Sequence, residues 1–236
     1  MNHAIVIGIG GVCLMAGSAF GQLIQPVAQS REVEFGADAS DFSPNPEMFD
    51  NDGDLVSAPD FGLFDMNIGG SAFTNAGSGS GSASQVSIIG DDSIMASGVA
   101  SGAGDGGFGG SGSGFGSSNF SVTFDLMQAV DYTMSWSIGA FGIGNNGIAG
   151  VSLVGPGGTV ISSEVDNSSD DDMAMGTLMP GQYTISAWAG GSGFGDEFFI
   201  SSSSDGSFDL NFSVVPAPST AALLAVGGIS AIRRRR

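Results

Sequence analysis

The feature that most constrains the fold is a strict alternation of apolar and polar residues in the second half of the chain. Apolar side chains occupy every second position in four stretches, at 120–126, 132–138, 183–187 and 208–214. A period of two places these side chains on one face of an extended strand. Each stretch is therefore predicted to be a half-buried β-strand.

Composition and turn residues extend this pattern to the whole chain. Glycine accounts for 41 of the 236 residues, and Gly-Pro-Gly-Gly at 155–158 marks a turn. Short strands without a long helical pattern predict an all-β fold built as a single β-sandwich. Residues 178–183 read Leu-Met-Pro-Gly-Gln-Tyr and resemble the Leu-x-Pro-Gly-x-Tyr edge of jelly-roll secreted modules. A jelly-roll-like sandwich is the first interpretation, and an immunoglobulin-like sandwich is the second.

Two parts of the chain lack this clear alternation. Residues 22–58 are acidic and interrupted by prolines, so they are predicted to form a mobile N-terminal extension, with a short edge strand as the alternative. Residues 75–118 consist largely of Gly and Ser, interrupted by two short β-like runs at 85–89 and 94–100. The rest has the composition of flexible linkers, so the sandwich at 59–215 is expected to carry Gly/Ser-rich loops. The alternative for 75–118 is loosely packed strands with small side chains, pinned by Phe108 and Phe115.

The N-terminus has the features of a secretion signal. An apolar run covers residues 4–16, and Ala19 and Gly21 supply small side chains before a cut preceding Gln22. These features predict a signal peptide at 1–21 and export of the remainder.

The C-terminus combines a stiff break, a short apolar segment and a cluster of positive charges. These are Pro216-Ala217-Pro218, the uncharged residues 219–232, and Arg233, Arg234, Arg235 and Arg236. At about 1.5 Å per residue, a helix over those 14 apolar residues would span roughly 21 Å. A hydrocarbon core is about 30 Å thick, so a short anchor helix is predicted rather than a full span. An ordinary tail anchor and a buried helix are the alternatives.

This arrangement resembles the PEP-CTERM sorting domain, with Pro216-Ala217-Pro218 in the place of Pro-Glu-Pro and Ala217 where that family carries glutamate. The resemblance covers residues 216–236. It implies processing by an exosortase-type enzyme and transient insertion in the inner membrane. It also implies release to the cell surface or extracellular matrix.

The residue types left between the two predicted cuts exclude several kinds of chemistry. Residues 22–215 contain no Lys, His or Cys, and Arg31 is their single cation, whereas all 24 acidic residues lie there. The net charge of that part is therefore about −23, from 1 minus 24. A Ser-His-Asp triad, a cysteine nucleophile and a His/Cys zinc site are excluded, and nucleic acid would be repelled. The protein is predicted not to be an enzyme, although a pair of carboxylates remains a chemical alternative.

Calcium is the one cofactor that the sequence suggests. Asp50, Asp52 and Asp54 alternate in a loop-like stretch, a spacing that lets carboxylates wrap a hard cation. A solvated acidic turn is the alternative interpretation. Asp170, Asp171 and Asp172 are consecutive, so their side chains are expected to diverge.

Trp188 is the candidate for glycan binding. It falls on the outward parity of its predicted strand among hydroxyl side chains, which is typical of a sugar-stacking platform; a position beneath a covering loop is the alternative. Trp136 has inward parity and is predicted to lie in the core. Taken together, the sequence predicts a secreted, non-catalytic surface or extracellular-matrix protein. The alternative is a calcium-dependent carbohydrate-binding module that binds an extracellular polysaccharide.

Overall fold

The computed structural model describes residues 22–43, 47–198 and 201–217, and it folds them into twelve β-strands. The strands are β1 Ile24–Asp41, β2 Met48–Ser57, β3 Phe64–Phe73, β4 Gly77–Ile89, β5 Ser93–Gly106, β6 Gly110–Leu126, β7 Val130–Ile143, β8 Ile148–Gly155, β9 Gly158–Asp166, β10 Ser169–Leu178, β11 Gly181–Gly195 and β12 Ser202–Pro216.

The strands form two six-stranded antiparallel sheets. Sheet A has the order β2-β1-β6-β11-β8-β9, and sheet B has the order β10-β7-β12-β5-β4-β3. The sheets stack face to face, with β6 of sheet A against β5 of sheet B and β11 against β12. The predicted all-β sandwich is confirmed.

One half of the sandwich interior is a conventional apolar core. It is filled by large side chains from both sheets, among them Phe120, Phe124, Ile185, Leu210 and Phe212. The rings of Phe124 and Phe212 lie 5.7 Å apart between their centroids. These side chains are the inward members of the alternating stretches, so the period of two fixes which face of each strand is buried.

Side-chain size falls along each central strand away from this apolar half. The inward residues of β11 run from Tyr183 and Ile185 through Ala187 and Ala189 to glycine. Glycine occupies inner positions 77, 79 and 81 of β4, 102, 104 and 106 of β5, 110, 112, 114 and 116 of β6, and 191, 193 and 195 of β11. We refer to this half as the glycine end.

At the glycine end the backbones of the two sheets touch. A Cβ atom added to Gly114 of β6 would lie 1.9 Å from the carbonyl oxygen of Ser80 in β4. A Cβ on Gly102 of β5 would lie 2.4 Å from the carbonyl oxygen of Gly114. Ordinary stacked sheets are about 10 Å apart because side chains separate them. Here no side chain fits between the sheets, so only glycine is tolerated at these positions.

The flexible Gly/Ser-rich loops predicted at 75–118 are wrong, and the alternative of strands with small side chains is confirmed. Residues 75–118 form all of β4 and β5 and the first half of β6. The alternation is present there, but it is between glycine inside and serine outside, so it carries no hydrophobic signal. The expected pins do not enter the interior, because Phe108 is 83% exposed and Phe115 lies on the outer face over Gly36.

The prediction of a mobile N-terminal extension at 22–58 is also wrong, because this part of the chain contains strands β1 and β2. β1 pairs with β6 along its whole length, and β2 pairs with β1 at the edge of sheet A. Val33, Phe35, Ala37 and Ala39 alternate inward along β1. Pro26 is accommodated because the register shifts beside it, as a proline within a strand requires.

The glycine packing makes a direct prediction about stability. Gly114→Ala forces a methyl group onto rigid backbone, so we expect a loss of about 1–3 kcal/mol in the free energy of unfolding. Gly157→Ala is the matched control, because a Cβ at that turn would have no atom within 4 Å. Urea unfolding of both variants measures the difference. Equal stability of Gly114→Ala and Gly157→Ala would contradict the packing described above.

Candidate functional site

Trp188 lies on the outer face of sheet A, as its parity predicts, and it is half-buried. Its indole lies against the backbone of the neighbouring strand β8. A Cβ on Gly150, its register partner, would be 2.2 Å from the Cζ2 atom of the ring. The glycine therefore leaves the space that the ring fills. Glycan binding by Trp188 stays a prediction.

Trp136 lies in the core, as predicted, and anchors a polar contact at the β9–β10 edge. Its Nε1 donates to Asp170 Oδ2 at 3.1 Å, and Ser163 Oγ donates to the same oxygen at 2.6 Å. Ser163 is in sheet A, whereas Trp136 and Asp170 are in sheet B, so the carboxylate joins the two sheets. The hydrogen bonds from Ser163 and Trp136 lower the pKa of Asp170, and desolvation opposes them. No pattern in the sequence pointed to this contact, because Ser163 is far from Trp136 along the chain.

Arg31 is the sole cation among the described residues, and it is buried at an inner position of β1. Its guanidinium donates to neutral oxygens: Gln29 Oε1 at 3.1 Å, Gly62 O at 2.8 Å, Ser87 Oγ at 3.3 Å and Asp60 O. The ring of Phe64 lies 5.7 Å from its Cζ atom. Burial lowers the pKa of Arg31, while the charge of Asp60 raises it. Arg31 thus fastens the segment that carries the chain from sheet A to sheet B, and it contributes no positive charge to the surface.

The three candidate calcium ligands lie on strand β2, where a loop was predicted. Asp50 Oδ2 accepts a hydrogen bond from the Phe73 amide at 2.9 Å, and Asp54 Oδ1 accepts one from the Leu55 amide at 2.8 Å. Asp52 lies beside Gly70 of β3. Alternate residues of a strand are roughly 6.6–6.8 Å apart, so the carboxylates are spread along an edge and do not wrap a cation. Within 22–43, 47–198 and 201–217, no group of three or more His, Cys, Asp or Glu side chains has a metal-binding arrangement.

A groove framed by phenylalanines crosses the outer face of sheet A at the glycine end. Phe49 of β2 and Phe194 of β11 stand at its two sides and are 67% and 52% exposed. Its floor carries Asp38 and Ser40 of β1 and Ser111 and Ser113 of β6. Its volume is about 320 Å³. We call it the Phe groove.

The sequence did not point to the Phe groove, because its walls are far apart along the chain and one lies in the stretch predicted to be mobile. Register brings them together: Asn51, Asp38, Ser113 and Phe194 stand in one row across four strands. Exposed phenylalanines on the polar parity of a strand were the available signal. Without the strand order, that signal could not place them on a common face.

A second depression lies on the outer face of sheet B at the glycine end. Phe73 of β3 and Ile143 of β7 flank it, and its volume is about 410 Å³. Ser78, Ser80 and Asp105 are among its lining residues. It has an aromatic side chain on one side only.

The sorting motif begins where the last strand ends. Pro216 is the final residue of β12 and pairs with Val130, and the Ala217 amide donates to the Ala129 carbonyl at 3.2 Å. Pro218, the apolar segment and Arg233 to Arg236 lie outside the described residues, as does the predicted signal peptide at 1–21. Among the residues that are described, no helix is long and apolar enough to cross a membrane.

Comparison with known proteins yields little. No protein-family model matches the chain, and no curated protein matches it. The structure of infectious bursal disease virus Gx strain is similar at 8% identity and a TM-score of 0.21, over 80% of this chain and 56% of the viral chain. The crystal structure of the infectious bursal disease virus VP2 subviral particle is similar at 10% identity and a TM-score of 0.13, over 91% of this chain and 74% of that chain. TM-scores this low carry no argument about fold or function.

The contact at Asp170 predicts a specific dependence on pH. Its pKa is lower in the folded protein than in the unfolded chain, so the carboxylate stabilises the fold above its unfolded pKa of about 3.9. That stability is lost as the pH falls through the folded pKa. The urea concentration at the unfolding midpoint is therefore expected to fall less steeply for Asp170→Asn than for the wild type as the pH is lowered below about 4.

Urea unfolding across this pH range measures the effect. Asp171→Asn, the neighbouring residue on β10, is the matched control and is expected to follow the wild-type profile. If Asp170→Asn follows the wild-type profile as well, the hydrogen-bonded carboxylate does not contribute to acid sensitivity.

Proposed function

We propose that this chain is a secreted, non-catalytic protein of the cell surface or extracellular matrix, sorted through the PEP-CTERM-like tail. The observation that carries the proposal is where the sandwich begins and ends. The first strand starts at Ile24, two residues after the predicted cut before Gln22, and the last strand ends at Pro216. Cleavage at both predicted places would release the twelve-stranded unit whole.

Both ends of the released unit would be fixed by hydrogen bonds. The Leu23 and Ile24 amides donate to the Asp91 carbonyl at 3.0 and 2.9 Å, and Pro216 is paired with Val130 of β7. A chain trimmed at these points keeps all twelve of the described strands. In this proposal an exosortase-type enzyme processes the tail after its transient insertion in the inner membrane.

A non-catalytic role is supported by the residue types of the sandwich. Residues 22–215 contain no His, Lys or Cys, and their one cation, Arg31, is committed to structural hydrogen bonds. The charged side chains on the surface of the described residues are therefore all acidic. Such a surface repels nucleic acid and keeps an exported domain soluble.

The finer fold assignment belongs with this proposal. A jelly-roll-like arrangement is favoured over an immunoglobulin-like one, because the sandwich has twelve strands and the chain crosses repeatedly between sheets, as at β5–β6, β6–β7 and β7–β8. Immunoglobulin-type sandwiches have seven to nine strands.

A second candidate function is a carbohydrate-binding module, and the Phe groove favours it. Exposed aromatic side chains beside hydroxyl and carboxylate groups are the recognition chemistry of sugars. The calcium requirement of the sequence-based alternative is not retained, because Asp50, Asp52 and Asp54 are spread along β2.

Intact mass spectrometry of the protein from native cells and from the medium tests the sorting proposal. The expected species lies outside the cell, starts near Gln22 and ends near Pro216. Replacing Arg233 to Arg236 with serine is expected to leave the tail uncleaved, because the positive cluster that halts translocation is gone.

Gly157→Ala is the control for the tail variant and is expected to be processed normally. A wild-type protein that keeps its C-terminus and stays in the membrane would contradict sorting by cleavage.

A further inference from the structure

We infer that the Phe groove binds a neutral polysaccharide chain lying across strands β1 and β6. This inference deepens the carbohydrate-binding candidate function and rests on it, but it does not require the sorting proposal. It also moves the binding site from Trp188 to a different part of sheet A.

One wall of the groove, Phe49, is held in place by an aromatic contact. The ring of Phe42 meets that of Phe49 edge-on, with centroids 6.3 Å apart and an interplanar angle of 75°. On the opposite side, Phe115 lies on β6, which is paired with β11. It is two residues along β6 from Ser113, the pairing partner of Phe194. Its ring lies on the backbone at Gly36, where a Cβ would be 2.4 Å from Cε1. These phenylalanines are 40–67% exposed, and so large an exposed apolar surface marks an interaction site.

The separation of the walls suits an extended chain. Phe49 and Phe194 are three strand spacings apart across sheet A, which amounts to roughly 14–15 Å at about 4.8 Å per strand. That distance accommodates several linked sugar rings and is too long for one. An aromatic wall at each side can stack on the C–H face of a sugar, while the floor lies under the sugars between them.

The floor supplies hydrogen-bonding groups of the kind that sugar hydroxyls need. Asp38 presents an exposed carboxylate, which accepts hydrogen bonds from hydroxyl donors. Ser40 is buried, and its Oγ pairs with Ser111 Oγ at 2.7 Å. Ser111 and Ser113 present their hydroxyls along β6. Each hydroxyl can both donate and accept. A few polar groups between apolar walls are typical of a ligand site.

Charge decides which polysaccharides fit. The Asp38 carboxylate faces the groove, and the one cation of the described residues, Arg31, is buried elsewhere. An anionic polysaccharide would meet uncompensated repulsion. The preferred ligand is therefore neutral.

A bound peptide strand is disfavoured by the backbone beneath the groove. β1 is paired with β2 and β6 on its two sides, and β6 is paired with β1 and β11. Their N–H and C=O groups are already used in the sheet. An extended peptide could not add to them as a new strand, which is the usual source of affinity in that mode of recognition.

Affinity electrophoresis of the full chain tests the inference, because it does not depend on processing. The gels contain hydroxyethylcellulose, galactomannan or dextran as neutral probes and alginate as the anionic comparison. We expect at least one neutral polymer to retard the wild type, and alginate not to. Phe194→Ala and Phe49→Ala are expected to weaken retardation at least fivefold, since each removes a stacking wall.

Phe108→Ala is the matched control, because Phe108 is a more exposed phenylalanine in the β5–β6 turn, outside the groove. It is expected to bind as the wild type does. Thermal unfolding checks that all variants are folded; both wall residues are more than half exposed, so their removal should leave the midpoint unchanged.

Three results would overturn the inference. No retardation of the wild type by any neutral probe would exclude such binding. Retardation lost in Trp188→Ala but kept in Phe194→Ala would place the site at Trp188 and leave the carbohydrate-binding function standing. A dimer that is seen by sedimentation and abolished by Phe194→Ala, without polysaccharide binding, would make a second copy of the chain the occupant.

Discussion

Direct backbone contact between the two sheets at the glycine end is the constraint on which the rest of the structure depends. It requires an inner face without side chains on four strands at once, β4, β5, β6 and β11. The closely packed backbones give dispersion contacts in place of hydrophobic side chains. Glycine loses the most conformational freedom on folding, so this half depends on the apolar core at the opposite ends of the same strands. We therefore expect the glycine end and the apolar core to unfold as one cooperative unit.

Because of the same constraint, a ligand-binding site at the glycine end has to lie on the outer face of a sheet. With no room between the sheets at the glycine end, side chains that could bind a ligand there project outward, and the strand register decides which of them meet. Phe49 and Phe194 are brought to one groove because β2, β1, β6 and β11 are neighbours in sheet A. The acidic residues at the β2 edge have a different effect. Asp50, Asp52 and Asp54 place charge on an exposed edge strand, which opposes pairing with another chain.

The strands of the apolar half of the fold could be predicted from the sequence, whereas those of the glycine end could not. Hydrophobic alternation predicted which face is buried in Phe120 to Leu126 and in Phe208 to Val214. Trp136 was also assigned to the core correctly. Residues 77–82 alternate with the same period, but glycine and serine differ little in hydropathy, so the strand looked like a linker. Asp50 to Asp54 were misjudged for a related reason: their alternation fits a calcium loop and an edge strand equally well. The Phe groove depends on pairing between β1 and β6, which no local pattern reports.

Hydrogen–deuterium exchange of the backbone amides in residues 77–116 tests the central claim most directly. If these residues are packed strands, their interior amides will be protected to an extent comparable to those of 120–126 in the apolar core, because opening them requires separating the sheets. Fast exchange at the rate of an unfolded chain, with 120–126 still protected, would contradict the account. The Gly/Ser segments would then be the flexible loops that their composition suggests.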